Sequence, residues 1–258
     1  MTAGESLGKG SLAESAQKEH FNWIAELYNA HYNDPFSKEY RERFFYKPML
    51  SGLDLKGKLV LDAMCGAGEI VPFLQRLGAE VVGLDISEAC VESFKEAWPG
   101  TRAVCGSILE TEFKDGTFDA VLVTGGLHHL PPHAKQGISE IWRILKTGGY
   151  LCFMEPHSQS IFERCRQAWY RRDPYFEKNE AALNFSELRA YFTNYFEFVR
   201  MKYFGDVAYL LVWNSMIFRV PWWLKKCYAR MVMALEFLLS PMQTQYTSLA
   251  VIGQWKKR

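Results

Sequence analysis

The sequence has no C-x-x-C pair and no cluster of cysteine with histidine, although it contains six cysteines among 258 residues. Scattered cysteines of this kind are typical of reduced thiols, and they lack the spacing of a zinc site or a disulfide framework. We therefore expect no structural metal.

Neither charge sign is in clear excess, and no long apolar run is present. Thirty Lys and Arg against 29 Asp and Glu give a formal net charge of +1, so no whole-molecule field favours a nucleic-acid partner. The first residues lack the apolar stretch of a signal peptide, and no uncharged run approaches the roughly 20 residues that span a bilayer. We expect a cytoplasmic protein that binds no nucleic acid.

The length favours one domain with insertions over two domains. Residues 1–18 are rich in Gly, Ser, Ala and Glu, so we expect a flexible N-terminus that buries too little surface to offset its ordering entropy. The single domain is then 19–258. Aromatic and aliphatic residues at helical spacing predict a helical lid over 19–50.

Short β-rich runs alternate with helical stretches from Lys58 onward. This alternation predicts βαβ units, with a parallel sheet and helices on both faces. An apolar stretch, 205–245, predicts a helical insertion before the last strand. The predicted strands are Lys58–Asp62, Val81–Asp85, Ala103–Gly106, Ala120–Thr124, Tyr150–Met154, Phe196–Tyr203 and Leu249–Trp255.

A run of acid and glycine residues follows the first strand. Asp62 ends the strand, and Gly66 and Gly68 lead into a helix, where glycine permits close approach of a ligand to the backbone. A tight turn without a ligand is the alternative reading. Asp85 ends the second strand 17 residues after Gly68, where an acid accepts the hydroxyl groups of a ribose.

A dinucleotide and S-adenosylmethionine (SAM) both carry such a ribose. The dinucleotide fingerprint requires a third glycine where this chain has Val71, so the seat for a pyrophosphate is incomplete. SAM has no pyrophosphate, and Asp62 offers an anionic environment for its amino group.

At these residues the sequence resembles the class I SAM-dependent methyltransferase family. The resemblance spans about Gly57 to Pro156, and it continues in Phe118–Leu130 and Ile141–Leu151, which look like the family's fourth-strand and fifth-strand motifs. It implies a Rossmann-like α/β fold: a seven-stranded, mostly parallel sheet with its last strand antiparallel. It also implies SAM as cofactor, S-adenosylhomocysteine as product and a SAM-binding core at 57–156.

The cofactor-binding residues that follow from these motifs lie at the strand ends. Met64 stands where the family usually has its first glycine. Its side chain either crowds the methionine part of the cofactor or changes the shape of the binding site beside it. Ser107 stands where the family often has an aspartate that reads the adenine amino group, so stacking on Ile86 and Ile108 gains importance. The full set is Asp62, Met64, Cys65, Gly66, Gly68, Asp85, Ile86, Gly106, Ser107, Ile108, Thr124 and Gly125.

Three histidines are candidates for a general base, which methyl transfer needs only when the acceptor must lose a proton. His128 and His129 follow the fourth strand, at the edge where open α/β sheets bind ligands, and His157 follows the fifth. The alternative for each is a structural role, as a hydrogen-bond donor to the backbone or as pocket lining.

The insertion contains a stretch, Val207–Leu239, that we expect to cover an acceptor pocket. Its second half places Leu224, Met231 and Leu238 on one helical face, and Lys225, Lys226 and Arg230 on the other. Such a helix either lies in a lipid headgroup layer, as a peripheral membrane contact, or packs as an ordinary lid or dimer contact.

These features predict methyl transfer from SAM to a small or amphipathic, lipid-like acceptor, with oxygen as the favoured atom. The alternatives are N- or C-methylation of a small metabolite, and a non-catalytic SAM-binding or membrane-associated protein of the same fold.

Overall fold

The structure, a computed structural model, describes residues 32–172, 182–213, 218 and 220–258. The predicted flexible segment 1–18 lies outside the described residues, and so does the first part of the predicted lid, 19–31. The same holds for 214–217 and Arg219 within the predicted insertion.

Seven strands form one sheet in the order β3-β2-β1-β4-β5-β7-β6. The first five strands pair in parallel, whereas β7 pairs antiparallel with both β5 and β6. The predicted fold class is therefore confirmed. The strands are β1 (Leu59–Ala63), β2 (Glu80–Asp85), β3 (Arg102–Cys105), β4 (Phe118–Thr124), β5 (Leu145–Pro156), β6 (Phe196–Phe204) and β7 (Ala250–Lys257).

The central strands are apolar on both faces because helices cover both sides of the sheet. One face of β4 packs Ala120 and Leu122 into the first core cluster, and the other packs Val121 and Val123 into the second. Strand β5 begins earlier than the sequence predicts, because Leu145 already pairs with Phe118 across a bulge.

Helices on the first face come from both ends of the chain and from the β1 and β2 crossovers. They are Pro35–Tyr40, the π-helix Arg41–Tyr46, Lys47–Leu50, Val71–Arg76, Glu88–Ala97, the π-helix Tyr209–Trp213 and Trp222–Leu239.

The second face is covered by Leu127–His129, Ala134–Ile144 and Phe185–Tyr191. Further helices are Glu163–Tyr170 and Ser240–Met242. None of the helices in the described ranges combines the length and the apolar character that crossing a bilayer requires.

The helix Trp222–Leu239 turns its charged residues inward. Lys225 is 2% exposed, and its Nζ lies 2.5 Å from Asp34 Oδ2 and 2.6 Å from Ser37 Oγ. Glu236 is fully buried, accepts a hydrogen bond from the Tyr40 hydroxyl, and accepts another from the Tyr209 N–H at 2.9 Å. The prediction that Lys225 shares a solvent-facing cationic face with Lys226 and Arg230 is therefore wrong.

Candidate functional site

The carboxyl ends of the parallel strands bring the predicted site residues to one edge of the sheet. Asp62 lies next to Gly83 of β2 and Leu122 of β4 in the strand register, and Thr124 lies next to Met154 of β5. In open α/β sheets this edge is where ligands bind.

The loop after β1 takes backbone conformations that favour glycine. Gly66 and Gly68 have φ angles of 53° and 78°. A Cβ on Gly68 would lie 2.7 Å from the Phe94 ring and from Trp98 Nε1, so close packing, rather than approach of a ligand, requires glycine there. The Trp98 indole N–H also donates to the Ala67 carbonyl at 2.9 Å, which fixes the loop against the helix Glu88–Ala97.

Met64 adopts a left-handed backbone with a φ of 57°. This conformation costs a non-glycine residue about 1–2 kcal/mol, which is the physical reason why a glycine suits this position. The Met64 side chain packs over Gly126, where an added Cβ would lie 2.7 Å from Met64 Sδ. The side chain therefore forms the wall between the β1 loop and the β4 loop.

Asp85 connects the ends of β1 and β2. Its Oδ2 accepts the Gly66 N–H at 2.9 Å, and its Oδ1 accepts the Ser87 N–H at 2.9 Å. Burial raises the pKa of the Asp85 carboxyl, and the hydrogen bonds from Ser87 and Gly66 act in the opposite direction. A third hydrogen bond, from the Ile86 N–H, acts in the same direction as these two. Each carboxylate oxygen has two lone pairs, so the group still has capacity to accept from a ligand.

Asp62 is buried, and its Oδ2 has no hydrogen-bond partner among the described residues. Burial raises the pKa of this carboxyl well above its usual range, and the nearby carboxylates of Glu69 and Asp85 raise it further. A buried acid without a partner is costly. The cluster is therefore suited to a positively charged ligand group, which would stabilise its ionised form.

Two predicted cofactor-binding residues in the loop after β3, Gly106 and Ser107, make hydrogen bonds within the protein. Gly106 donates its N–H to the Asp85 carbonyl at 2.9 Å. The Ser107 hydroxyl accepts the Leu109 N–H at 3.1 Å. Ile108 is buried in the second core cluster, whereas Ile86 is partly exposed. Of the two predicted stacking residues, Ile86 is thus the more accessible.

The buried carboxylate of Glu155 holds His128 in place. Glu155 is not among the site residues predicted from the sequence. The His128 Nδ1 lies 2.8 Å from Glu155 Oε2, and the side chain of Glu155 is fully buried. Glu155 Oε1 also accepts the N–H groups of Gly126 and Leu127, each at 2.8 Å. Burial raises the pKa of Glu155 to about 7.

This contact fixes the His128 ring on the loop after β4 and assigns its Nδ1 to Glu155. When Nδ1–H donates to the carboxylate, the proton-accepting nitrogen is Nε2. An acid at the end of an otherwise apolar strand was the available signal for Glu155, because such a group needs buried partners.

The other two candidate histidines are placed differently. The His129 ring lies against that of His128, with centroids 4.0 Å apart and the ring planes tilted by 37°. His157 is 1% exposed, and its Nε2 lies 3.0 Å from the Ser248 carbonyl. Burial lowers the pKa of His157. The structure thus brings His129 to His128 but packs His157 between β5 and the segment before β7.

An apolar cavity of about 710 Å³ opens further along the same edge. Gly205 follows β6, Leu249 precedes β7, and both line the cavity. Drug-sized ligand pockets have volumes of about 300–1,000 Å³, so this cavity is large enough for a hydrophobic molecule. Its other lining residues include Phe162, Trp169, Val207, Tyr209, Leu210, Phe218, Leu239 and Met242.

The arginine-rich helix Glu163–Tyr170 forms one wall of this cavity. Arg166 lines the cavity and makes two 2.8 Å hydrogen bonds to the Glu163 carboxylate. Arg164 is exposed to solvent. In the described residues, no group of three or more His, Cys, Asp or Glu side chains is arranged to hold a metal ion.

Comparison with known proteins finds relatives for part of the chain. Residues 61–153 match the protein family described as a methyltransferase domain. The chain is 34% identical over 115 residues to the demethylmenaquinone methyltransferase of Beutenbergia cavernae, covering 44% of this chain and 48% of that protein. It is 32% identical over 114 residues to the phthiotriol/phenolphthiotriol dimycocerosates methyltransferase of Mycobacterium tuberculosis, covering 43% and 42%. The chain thus spans about half the length of these relatives.

The fold is also similar to that of a solved SAM-dependent methyltransferase from Archaeoglobus fulgidus. The two share 18% identity with a TM-score of 0.60, and the match covers 91% of this chain and 99% of the other. Residues 61–153, which include Asp62, Asp85 and Thr124, thus match a methyltransferase domain, and the chain shares its fold with a SAM-dependent methyltransferase.

Proposed function

We propose that the chain transfers a methyl group from SAM to an oxygen atom of a hydrophobic, lipid-like small molecule. The observation that carries this proposal is the 2.8 Å contact between His128 Nδ1 and the buried Glu155 carboxylate. It holds an imidazole at the ligand-binding edge, where a hydroxyl acceptor needs a base. Within a single domain at 19–258, we assign 57–156 to SAM and 205–245 to the acceptor.

The residues at the β1 and β2 ends fit SAM. The unpartnered Asp62 Oδ2 is buried, so it acts on the amino group through water or the neighbouring backbone. The Asp85 carboxylate, fixed at the end of β2 by backbone N–H groups, suits the ribose hydroxyls as a charged acceptor. When bound, SAM supplies a methyl group on a positively charged sulfur and leaves as S-adenosylhomocysteine. The carboxylates near Asp62 favour that charge.

His128 acts in this proposal as the base that removes the acceptor's proton. The acceptor oxygen forms the new bond to the methyl carbon, the bonding pair of the departing carbon–sulfur bond returns to sulfur, and the proton moves to His128 Nε2. Glu155 is a positioning residue, because it holds the tautomer with the proton on Nδ1 and stabilises the imidazolium that forms. Alignment of the acceptor and exclusion of water supply the rest of the rate.

SAM binding is expected to strengthen as pH rises. Burial raises the pKa of Asp62 and Asp85 in the ligand-free protein, and a cationic ligand favours their ionised forms. Binding at acidic to neutral pH therefore releases protons, and affinity levels off above these pKa values. Calorimetric titration of the wild type in buffers of different ionisation enthalpy measures the release. Equal affinity and no proton release across this range would contradict the role of the acid cluster.

The cavity beside β6 and β7 is the proposed site for the acceptor's apolar part. Adjacent strands lie about 4.8 Å apart, so the ends of β7 and β6 lie roughly 10–15 Å from the end of β4. A molecule with its reactive group at His128 and its chain in the cavity would span this distance along one edge. The apolar lining, which includes Tyr209, Leu210 and Leu249, matches such a chain.

Turnover is expected to depend on acceptor chain length. Each buried methylene contributes about 0.8 kcal/mol, or roughly a fourfold gain in kcat/KM, until the cavity is filled. Val207→Arg places a charge at the cavity wall and should flatten this dependence. Val199→Arg is the matched control, because Val207 and Val199 are 38% and 47% exposed but Val199 does not line the cavity. If kcat/KM depends on acceptor chain length in the same way in both variants, the cavity does not bind the acceptor's chain.

The direct test of the function is methyl transfer from methyl-labelled SAM to lipid extracts and to hydrophobic alcohols or phenols. We expect label in the organic phase, matched by S-adenosylhomocysteine formation, and a methyl ether as product by NMR. C-methylation is the second candidate, since one relative is named for demethylmenaquinone; it would place the new methyl group on carbon. Cofactor binding without transfer to any such acceptor would contradict the proposal.

A further inference from the structure

The outer face of the helix Trp222–Leu239 is apolar, unlike the usual amphipathic surface helix. Met231 and Leu238 are each 72% exposed, while Lys225 and Glu236 are buried in hydrogen-bonded contacts. The helix packs on Pro35–Tyr40 and Tyr209–Trp213. Its large exposed apolar residues are Trp222, Trp223, Leu224, Met231, Leu235, Phe237 and Leu238.

The buried ionic contacts fix this orientation. Asp34 and Ser37 bind Lys225 near the start of the helix, and Tyr40 with the Tyr209 N–H binds Glu236 near its end. Rotating the apolar residues inward would break both sets of contacts and leave Asp34 and Tyr40 without these partners, which is unfavourable for partly or fully buried polar groups. The buried contacts of Lys225 and Glu236 therefore keep the apolar face of the helix on the protein surface.

The outer face carries positive charge and no negative charge. Lys226 and Arg230 are exposed, whereas Glu236 is the only acid between Trp222 and Leu239 and is buried. A surface that combines tryptophans, aliphatic side chains and cations matches the interface of a bilayer that contains anionic lipid.

This face continues to the mouth of the acceptor cavity. Leu239 belongs to the helix and lines the cavity, and Met242 follows in the next turn. Phe162, Trp169 and Phe218 line the cavity and are also exposed, so the mouth opens within an apolar surface. Contiguous apolar surface of this kind marks an interaction site.

We propose that this face, defined as the outward side of Trp222–Leu239 together with Phe162, Trp169, Phe218 and Met242, docks on an anionic lipid bilayer. The cavity mouth then faces the acyl region, and a lipid-soluble acceptor enters without crossing water. The route of the acceptor rests on the proposed function, whereas docking itself does not. The helix lies in the headgroup layer and does not span the bilayer.

Flotation of the full chain with vesicles tests the docking. The wild type should float with phosphatidylcholine vesicles that contain phosphatidylserine, less with phosphatidylcholine alone, and less at high salt. Met231→Glu with Leu238→Glu should lose at least tenfold in vesicle affinity, and Lys226→Ala with Arg230→Ala should lose the preference for phosphatidylserine. Tyr191→Glu is the control, because Tyr191 is also exposed but belongs to a helix on the other face of the sheet.

Unchanged SAM affinity in each variant shows that it is folded. The inactive variant His128→Ala should float like the wild type, which separates failure of docking from failure of the proposed chemistry. Wild-type protein that stays at the bottom of the gradient at low salt would overturn the proposal. A Met231→Glu/Leu238→Glu variant that floats normally would also overturn it, as would one that merely converts a dimer to a monomer.

Discussion

The His128→Ala variant is expected to lose about 10²–10⁴-fold in kcat for a hydroxyl acceptor, which is the usual contribution of a general base. Its affinity for SAM should stay within a few-fold of wild type, because His128 contacts Glu155 rather than the acids of the cofactor site. Single-turnover measurements at saturating SAM give the rate of the chemical step. His133→Ala is the control, since His133 follows the same loop and begins the next helix.

Glu155→Gln tests whether the carboxylate acts through His128. The amide can present an N–H to Nδ1, which favours the tautomer with its proton on Nε2, so this nitrogen can no longer accept the acceptor's proton. We expect a loss in kcat of about 10²-fold or more with little change in SAM affinity.

The pH profile separates this positioning role from a purely structural one. Because burial raises the pKa of Glu155 to about 7, wild-type kcat should rise with pH through this range and then level off, as the carboxylate form accumulates. In Glu155→Gln the part of this rise that belongs to the carboxyl should be lost, so the shape of the profile should change. Turnover of either the His128 or the Glu155 variant within a few-fold of wild type would reassign the pair to pocket lining.

The Asp85→Ala variant is expected to bind SAM and S-adenosylhomocysteine about 10²–10⁴-fold more weakly. Two ribose hydroxyls would lose a charged acceptor, at roughly 1.5–3 kcal/mol each. The substitution also frees the Gly66 and Ser87 N–H groups that Asp85 now binds, so the loop after β1 loses a restraint. Calorimetric titration with S-adenosylhomocysteine measures the loss.

Asp85→Asn distinguishes the two effects of that substitution. The amide keeps one acceptor oxygen for the loop but presents N–H groups where the other oxygen was, so affinity should fall to an intermediate value. Asp115→Ala is the control, because it removes an exposed acid that pairs with Arg143 away from this edge. If Asp85→Ala binds S-adenosylhomocysteine with wild-type affinity, Asp85 does not bind the ribose.

The sheet was predictable from the sequence because its central strands are apolar runs that end in acids or glycines. The strand order, however, came from the family resemblance, since alternation alone does not order strands. The start of β5 was misplaced because Gly148 and Gly149 look like a turn, whereas the strand continues through them. Local patterns do not reveal a strand partner such as Phe118, which lies far away in the sequence.

The candidate site was predictable where a motif carries the chemistry. Asp62 and Asp85 could be named as candidates from their positions at the ends of strands, and His128 from its position after one. The partner of His128 could not, because Glu155 lies 27 residues away and meets it only when β4 and β5 pair.

The orientation of the last long helix shows the same limit. Periodicity identifies two faces of Trp222–Leu239 but does not say which is buried. Lys225 is buried because Asp34, 191 residues away in the sequence, supplies the opposite charge. A long-range partner of this kind, and not the hydrophobic pattern, determines which face of the helix is buried.

A crystal structure of the chain with S-adenosylhomocysteine tests the central claim most directly. We expect the ribose hydroxyls on Asp85, the amino group near Asp62, and the sulfur facing the space in front of His128 Nε2. A ligand bound elsewhere, or one at this edge with its sulfur turned away from His128, would contradict it.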